Sequence, residues 1–283
     1  MEKIICTDLD GTLLYPKKKI RMLPSDTKRF LSRFKNDGGS ILLVSGRNTA
    51  FPKKLFKKIE MEENYISCNG AVVVSKGKII KETIFEPERI KSIISYMRNA
   101  YKIPLMIVFS KAHNMVCNVL EVSKITNIGY ILYQFYQGVL KEPFIRNEKI
   151  FWDELEHGMV YKIMMMFGLT KKKIAKAKEA NKELRERFKD VEFSWAGEFI
   201  EISPKGCTKS EGINFYLDYN RLSKDNVMVV GDSGNDISMF QTFKENSFCM
   251  DHGPEEVKKY VSHTIHRFSD LEGYIYPSEE IAK

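Results

Sequence analysis

The chain has no Cys-x-x-Cys pair, no histidine cluster, no internal repeat, no low-complexity tract, and no apolar run near the ~18 residues of a membrane span. Its five cysteines, Cys6, Cys68, Cys117, Cys207 and Cys249, are scattered and odd in number. That excludes a disulfide framework and leads us to expect reduced thiols in a cytoplasmic protein. The five histidines are dispersed, so no imidazole–thiolate set is offered to a soft metal. Met1 leads straight into strand-like sequence without an apolar leader, and a soluble intracellular protein is expected.

What is present is an ordinary globular composition. With 283 residues, 43% hydrophobic and 29% charged, the chain has room for two domains or for one with a large insertion. The net charge of +8 invites a nucleic-acid reading, so its location matters. Residues 86–196 carry 19 basic against 13 acidic side chains, and Lys171, Lys172, Lys173, Lys176 and Lys178 sit on one amphipathic segment. A solvated helix face is the plainer reading, and nucleic acid is not the expected partner. A basic cover over an acidic site would instead draw in anionic substrates.

Apolar runs and turn residues alternate in the first third. Strands are expected in the run from Lys3 that ends at Asp8, at Ile41 to Val44 and at Tyr65 to Cys68, with helices at Ser25 to Asn36 and Thr49 to Ile59 between them. Such alternation implies a parallel, doubly wound sheet. A hairpin follows at residues 71–80. From residue 86 the pattern becomes strand pairs with helices at Pro87 to Ala100, Glu121 to Gln137 and Thr170 to Phe188, the signature of an inserted α+β module. Met164, Met165, Met166 and Tyr130, Tyr133, Tyr136 read as its packing residues. The α/β pattern resumes near Glu198, and Val227 to Val230 is a second strongly apolar strand. The expected division is residues 1–85 and 197–283 as core, 86–196 as insert.

Chemistry gathers at the strand ends. The first apolar run leads into Asp8-Leu9-Asp10-Gly11, and two carboxylates with a single residue between them repel unless a cation or a shared proton relieves them. A surface turn remains the alternative for that motif alone. An EF-hand is poorly supported, because Leu13 and Lys19 occupy its Gly and Glu positions. Ser45-Gly46-Arg47 follows the second strand, Lys209 opens a helix, and Gly231-Asp232-Ser233-Gly234-Asn235-Asp236 follows the strand at Val227. In a parallel sheet these ends converge on one edge. Acids, one hydroxyl and one lysine around a hard cation such as Mg²⁺ describe a phosphoryl-transfer site.

In this order, and over nearly the whole chain, these four segments resemble the motifs of the haloacid dehalogenase superfamily. The position and size of the insert resemble the Cof-type phosphatases with a type IIB cap. The resemblance implies a Rossmann-like α/β core with an α+β cap, and an Mg²⁺-dependent phosphatase acting on small phosphorylated metabolites, sugar phosphates first. Asp8 would be the nucleophile, Asp10 the acid and then the base, and Thr12 would orient Asp10. Ser45, Gly46 and Asn235 would hold the phosphoryl group, with Lys209 offsetting its charge. Asp8, the Asp10 carbonyl and Asp232 would hold Mg²⁺, with Asp236 supporting them. Lys205 is the other candidate for the motif lysine; Lys209 is preferred because it follows Thr208 and opens a helix. Asp251-His252-Gly253 stands where the family commonly has Gly-Asn-Ala, and Arg47 is open to the simpler role of pairing with an acid. A phosphomutase on the same scaffold and a non-catalytic polyanion binder are the alternatives.

Overall fold

The computed structural model describes residues 3–15, 23–119, 144–196 and 198–277. The expected helix Glu121 to Gln137, with its three tyrosines, lies outside the described residues. In chain order the first part comprises β1 (Ile4–Thr7), α1 (Ser25–Asn36), β2 (Ser40–Val44), α2 (Ala50–Ile59), β3 (Tyr65–Ser67), β4 (Val72–Ser75) and β5 (Lys78–Glu82). Then come α3 (Pro87–Ala100), β6 (Leu105–Ser110), β7 (Val116–Val119), β8 (Ile145–Arg146), α4 (Glu148–His157), β9 (Val160–Met166), α5 (Lys171–Arg187), β10 (Val191–Ala196) and β11 (Phe199–Pro204). The chain ends with α6 (Lys209–Asn220), β12 (Val227–Gly231), α7 (Ile237–Thr242), β13 (Ser247–Met250), α8 (Glu255–Lys258), β14 (His263–Ile265) and α9 (Glu272–Ile275).

One sheet has the order β14-β13-β12-β1-β2-β3-β4-β5, parallel from β14 to β3 and antiparallel at the β4–β5 hairpin. Successive side chains of a strand point to opposite faces, and β1 and β2 use both. Ile5, Ile41 and Leu43 pack with Phe30, Leu31 and Phe34 of α1. Ile4, Cys6, Leu42 and Val44 pack with Ile213 and Leu217 of α6 and Phe240 of α7. Burial of each such side chain stabilises by about 1.5–3 kcal/mol. Helices on both faces make the sheet doubly wound, and β1 lies at its centre.

The second sheet has the order β10-β11-β9-β6-β7-β8, antiparallel except for β7 against β8. One face of β6, Met106 and Val108, packs with Ile90 and Ile94 of α3, Phe151 of α4 and Ala177 and Leu184 of α5. The other, Leu105, Ile107 and Phe109, belongs to the same apolar cluster as the first sheet. The insert is therefore a cap whose bare sheet face rests on the core. The lysines at 171, 172, 173, 176 and 178 are exposed along α5, as a solvated face requires.

Sheet membership departs from the expected division at one point. The strand Phe199–Pro204 was expected in the core, yet β11 lies between β10 and β9 in the cap sheet. The chain returns to the core sheet only after Pro204. α4 and β8 were not expected at all. All five cysteines are buried thiols outside any disulfide, and among the described residues no helix is long and apolar enough to cross a membrane.

Candidate active site

The site stands on the edge of the core sheet where parallel strands end. The Asp8 amide donates to the Val230 carbonyl (2.8 Å) and the Ser45 amide to the Ile66 carbonyl (2.9 Å). These ladder bonds bring the residues after β1, β2, β3 and β12 to one level. Gly11, at φ +98, turns the chain away after Asp10, in a region that a side chain resists.

Asp8, Asp232 and Asp236 are buried, and one oxygen from each lies within 4.8 Å of the others. Lys209, also buried at the start of α6, donates from Nζ to Asp8 Oδ1 and to Asp236 Oδ1, at 2.6 Å each. Burial pushes the Asp8 carboxyl up to about 8; the charge and hydrogen bond of Lys209 oppose this, and Asp236 and Asp232 add to it. Lys209 loses by burial but gains more from Asp236 and Asp8, so its ammonium is held above its ordinary value. Three buried carboxyl groups around one ammonium are short of positive charge once all of them ionise, and all their donor atoms are oxygens. A hard divalent cation fits such a set.

Asp236 has little left to offer a metal. Its Oδ2 accepts from the Asp232 amide (2.9 Å), the Ser233 amide (2.9 Å) and the Ser233 hydroxyl (3.2 Å), while Oδ1 holds Lys209. Its carboxylate folds the turn that presents Asp232. Gly231 makes room for this, since a Cβ there would stand 2.5 Å from Asp236 Cγ. The Thr12 hydroxyl donates to Asp232 Oδ1 (3.2 Å), whereas it was expected to orient Asp10. The Asp10 carboxylate is gripped by Arg47, through Nε to Oδ2 and through a second nitrogen to Oδ1 at 2.9 Å. The simpler role considered for Arg47 is thus the one its geometry displays.

Ser45 is buried, and its Oγ accepts from the Arg47 amide (3.1 Å). Lys205 lies at the surface and pairs with Glu192 at 3.1 Å, away from Asp8. His252 stacks on Tyr15 at 4.5 Å, and its Nε2 is 3.5 Å from Asp232 Oδ2. Asp251 faces His266 instead. A cleft of about 770 Å³ between cap and core is bordered by Asn69, Trp195, Lys209 and Asn235, among others.

One acid was not anticipated. Glu201 of β11 is buried and accepts from Lys162 Nζ (2.9 Å), Asn69 Nδ2 (2.6 Å) and Asn235 Nδ2 (3.3 Å). The available signal was a Glu between Ile200 and Ile202, a charge on the face of a strand turned away from the cap helices.

A family model described as haloacid dehalogenase-like hydrolase matches residues 5–273. The chain belongs to that family. Several relatives that it matches over most of their length are named as phosphatases. It is 25% identical to the 5-amino-6-(5-phospho-D-ribitylamino)uracil phosphatase YwtE of Bacillus subtilis, covering 97% of this chain and 96% of the relative. It is 24% identical to the pyridoxal phosphate phosphatase YbhA of Escherichia coli, over 84% of each. Among solved structures, the subclass IIB sugar phosphatase BT4131 superposes with a TM-score of 0.74 at 20% identity, covering 96% of this chain and 98% of that one. At that identity the superposition establishes the shared fold of core and cap.

Proposed function

We propose that the protein is an Mg²⁺-dependent phosphatase of small phosphorylated metabolites, working through an aspartyl-phosphate. The observation that carries this reading is Lys209 held between Asp8 and Asp236, with Asp232 beside them, on one strand-end edge under a cap. Asp8, Asp232 and the Asp10 carbonyl would hold Mg²⁺, which supplies positive charge to the phosphoryl oxygens. Asp236 positions this set from outside.

In the first step an Asp8 oxygen bonds to phosphorus, the bond from phosphorus to the leaving oxygen breaks, and Asp10 gives that oxygen a proton. In the second, Asp10 takes a proton from water, the water oxygen bonds to phosphorus, and the bond to Asp8 breaks to release phosphate. Lys209, Ser45, the Gly46 peptide and Asn235 offset or bind the oxygens throughout. Phosphate monoesters are among the slowest substrates, needing up to ~10²¹-fold acceleration, so positioning, charge and covalent relay each have a share.

Two relatives named for different phosphorylated small molecules support the metabolite class. Sugar phosphates are the first group to assay, and the cytoplasm is the compartment where such substrates and reduced thiols occur together. The test is phosphate release from an aryl phosphate with Mg²⁺, comparing wild type with Asp8→Asn. Turnover that survives the substitution would exclude the mechanism. Label moving between two hydroxyls of one sugar with little free phosphate would favour a phosphomutase.

A further inference from the structure

We propose that the cap's buried Lys162–Glu201 pair is a positioning element. It aims the Asn69 and Asn235 amides and the Gly46 peptide at the transferred phosphoryl group, so that the phosphate site is complete only while the cap is docked. This deepens the phosphatase reading and rests on it.

Lys162 of β9 and Glu201 of β11 are 1% and 3% exposed. Withdrawing two charges from water costs several kcal/mol per ion, and packed apolar residues often serve stability as well or better. Stability alone is therefore a weak account of the pair. Its contacts supply a stronger one, because most of them cross from the cap into the core. Lys162 Nζ donates to the Gly46 carbonyl after β2. Glu201 Oε2 accepts from Asn69 after β3 and from Asn235 after β12; the Ser194 hydroxyl (3.2 Å) is its partner within the cap. Three of the strand ends that build the site are thus gathered by one cap pair.

The chemistry of the partner fixes the geometry. A carboxylate only accepts, so each amide turns its Nδ2 toward Glu201, gives it one N–H and keeps the second N–H for the phosphoryl oxygens. Asn235 Oδ1 then receives the Ser233 hydroxyl (2.8 Å), which ties it to the turn that presents Asp232. Asn69 Oδ1 is left buried without a protein partner, close to Gly46. A Cβ at Gly46 would stand 3.0 Å from Lys162 Nζ, 3.1 Å from Asn69 Oδ1 and 3.2 Å from Glu201 Oε1. The three side chains therefore close over the peptide expected to bind phosphate. Lys162 also lets a carboxylate sit near a phosphoryl dianion without net repulsion. Burial would raise the Glu201 carboxyl, but the charge and hydrogen bond of Lys162, with Asn69 and Lys209, hold it below the usual carboxylate value.

The experiment compares wild type, Glu201→Gln, Asn235→Ala, the Glu201→Gln/Asn235→Ala combination and Lys162→Met/Glu201→Gln. Inorganic phosphate binding with Mg²⁺ is measured by calorimetry, beside kcat and KM for an aryl phosphate and the thermal midpoint. Loss of a group that orients another commonly costs about tenfold to a hundredfold, so Glu201→Gln should weaken phosphate binding and lower kcat by that much. Because the two residues act as a unit, Asn235→Ala should cost clearly less on top of Glu201→Gln than it does alone.

Should Glu201→Gln fail to fold, Lys162→Met/Glu201→Gln carries no unpaired buried charge and supplies the measurement. Additive costs would overturn the proposal. So would a folded Lys162→Met/Glu201→Gln protein that binds phosphate as wild type does, or one that cannot fold at all, which would assign the pair to the fold. Absence of phosphate release by wild type would defeat the phosphatase reading instead, and the binding comparison would still decide the role of the pair.

Discussion

Lys209 Nζ stands 2.6 Å from Asp8 Oδ1 and 2.6 Å from Asp236 Oδ1, so one buried ammonium joins the end of β1 to the turn after β12. Removing one member of a buried charge set leaves the others uncompensated, at a cost of about 3–5 kcal/mol. Lys209→Met is expected to lose that much stability in denaturant unfolding without metal, and to lose turnover with it. Lys209→Arg should not restore activity, because a planar fork does not replace a compact ammonium between two carboxylates. A Lys209→Met protein with wild-type unfolding and turnover would contradict the arrangement.

The Asp8 carboxyl makes the site sensitive to pH and to metal. Its value is about 8 in the fold against 3.8 for the ordinary group, and burial is the main cause. A group with a raised folded value binds more protons folded than unfolded, so its contribution falls as pH rises through that interval. Metal-free wild type should lose stability relative to metal-free Asp8→Asn between about pH 4 and pH 8. Mg²⁺ should reduce that difference, and its binding near pH 7 should release protons, detectable as a dependence of calorimetric heat on buffer. Parallel stability curves for the two metal-free proteins would remove Asp8 as the cause.

The site was legible in the sequence where chemistry sits on strand ends. Asp8, Ser45 and Asp232 each follow an apolar run, and parallel topology brings such ends together whatever their separation in the chain. Pairings set by tertiary register were not legible. Nothing local in Tyr161-Lys162-Ile163 or Ile200-Glu201-Ile202 says that the two charges will meet; that depends on β9 lying beside β11, with Ile163 opposite Ile202. The same non-locality placed Phe199–Pro204 in the wrong sheet, since alternation announces a strand and not its neighbours. α4 escaped notice because its inner face, Phe151, Glu154 and Leu155, includes an acid that His113 satisfies at 2.6 Å. Thr12 was expected to orient Asp10 and Arg47 was open to pairing with an acid, but which acid each engages was decided only by the fold.

Gly234 links the cap to the turn that carries Asn235. A Cβ there would meet the Trp195 carbonyl oxygen at 2.6 Å and the Trp195 ring at 3.1 Å, and the nearer atom is backbone of a cap strand that cannot swing aside. Gly234→Ala should cost about 1–3 kcal/mol, as overpacking does, and should weaken phosphate binding by unseating the cap. Calorimetric titration with phosphate, alongside urea unfolding, checks both effects. Unchanged phosphate affinity would show that the docked cap is not needed at Asn235.

Asp8 and Asp10 are two residues apart and have different surroundings, and their substitutions should stop the reaction at different points. Asp8 is buried against Lys209, whereas Asp10 is partly exposed and engages Arg47 through both carboxylate oxygens. Asn at position 8 cannot form the bond to phosphorus, so Asp8→Asn should give no covalent species with any substrate. Asp10→Asn keeps the nucleophile. An aryl leaving group departs without a proton, so this variant should release about one equivalent of phenol and then stall, lacking the base that activates water. Alkyl phosphates need the proton, and there the loss at the first step should reach about 10²–10⁴-fold. Arg47→Ala frees Asp10 without removing it and should shift both steps in the same direction by less. Rapid quenching followed by intact-protein mass measurement distinguishes the cases, because only Asp10→Asn should carry an added phosphoryl group at steady state. Equal phosphorylation of the Asp8→Asn and Asp10→Asn proteins would mean that the two carboxylates do not divide the work in this way.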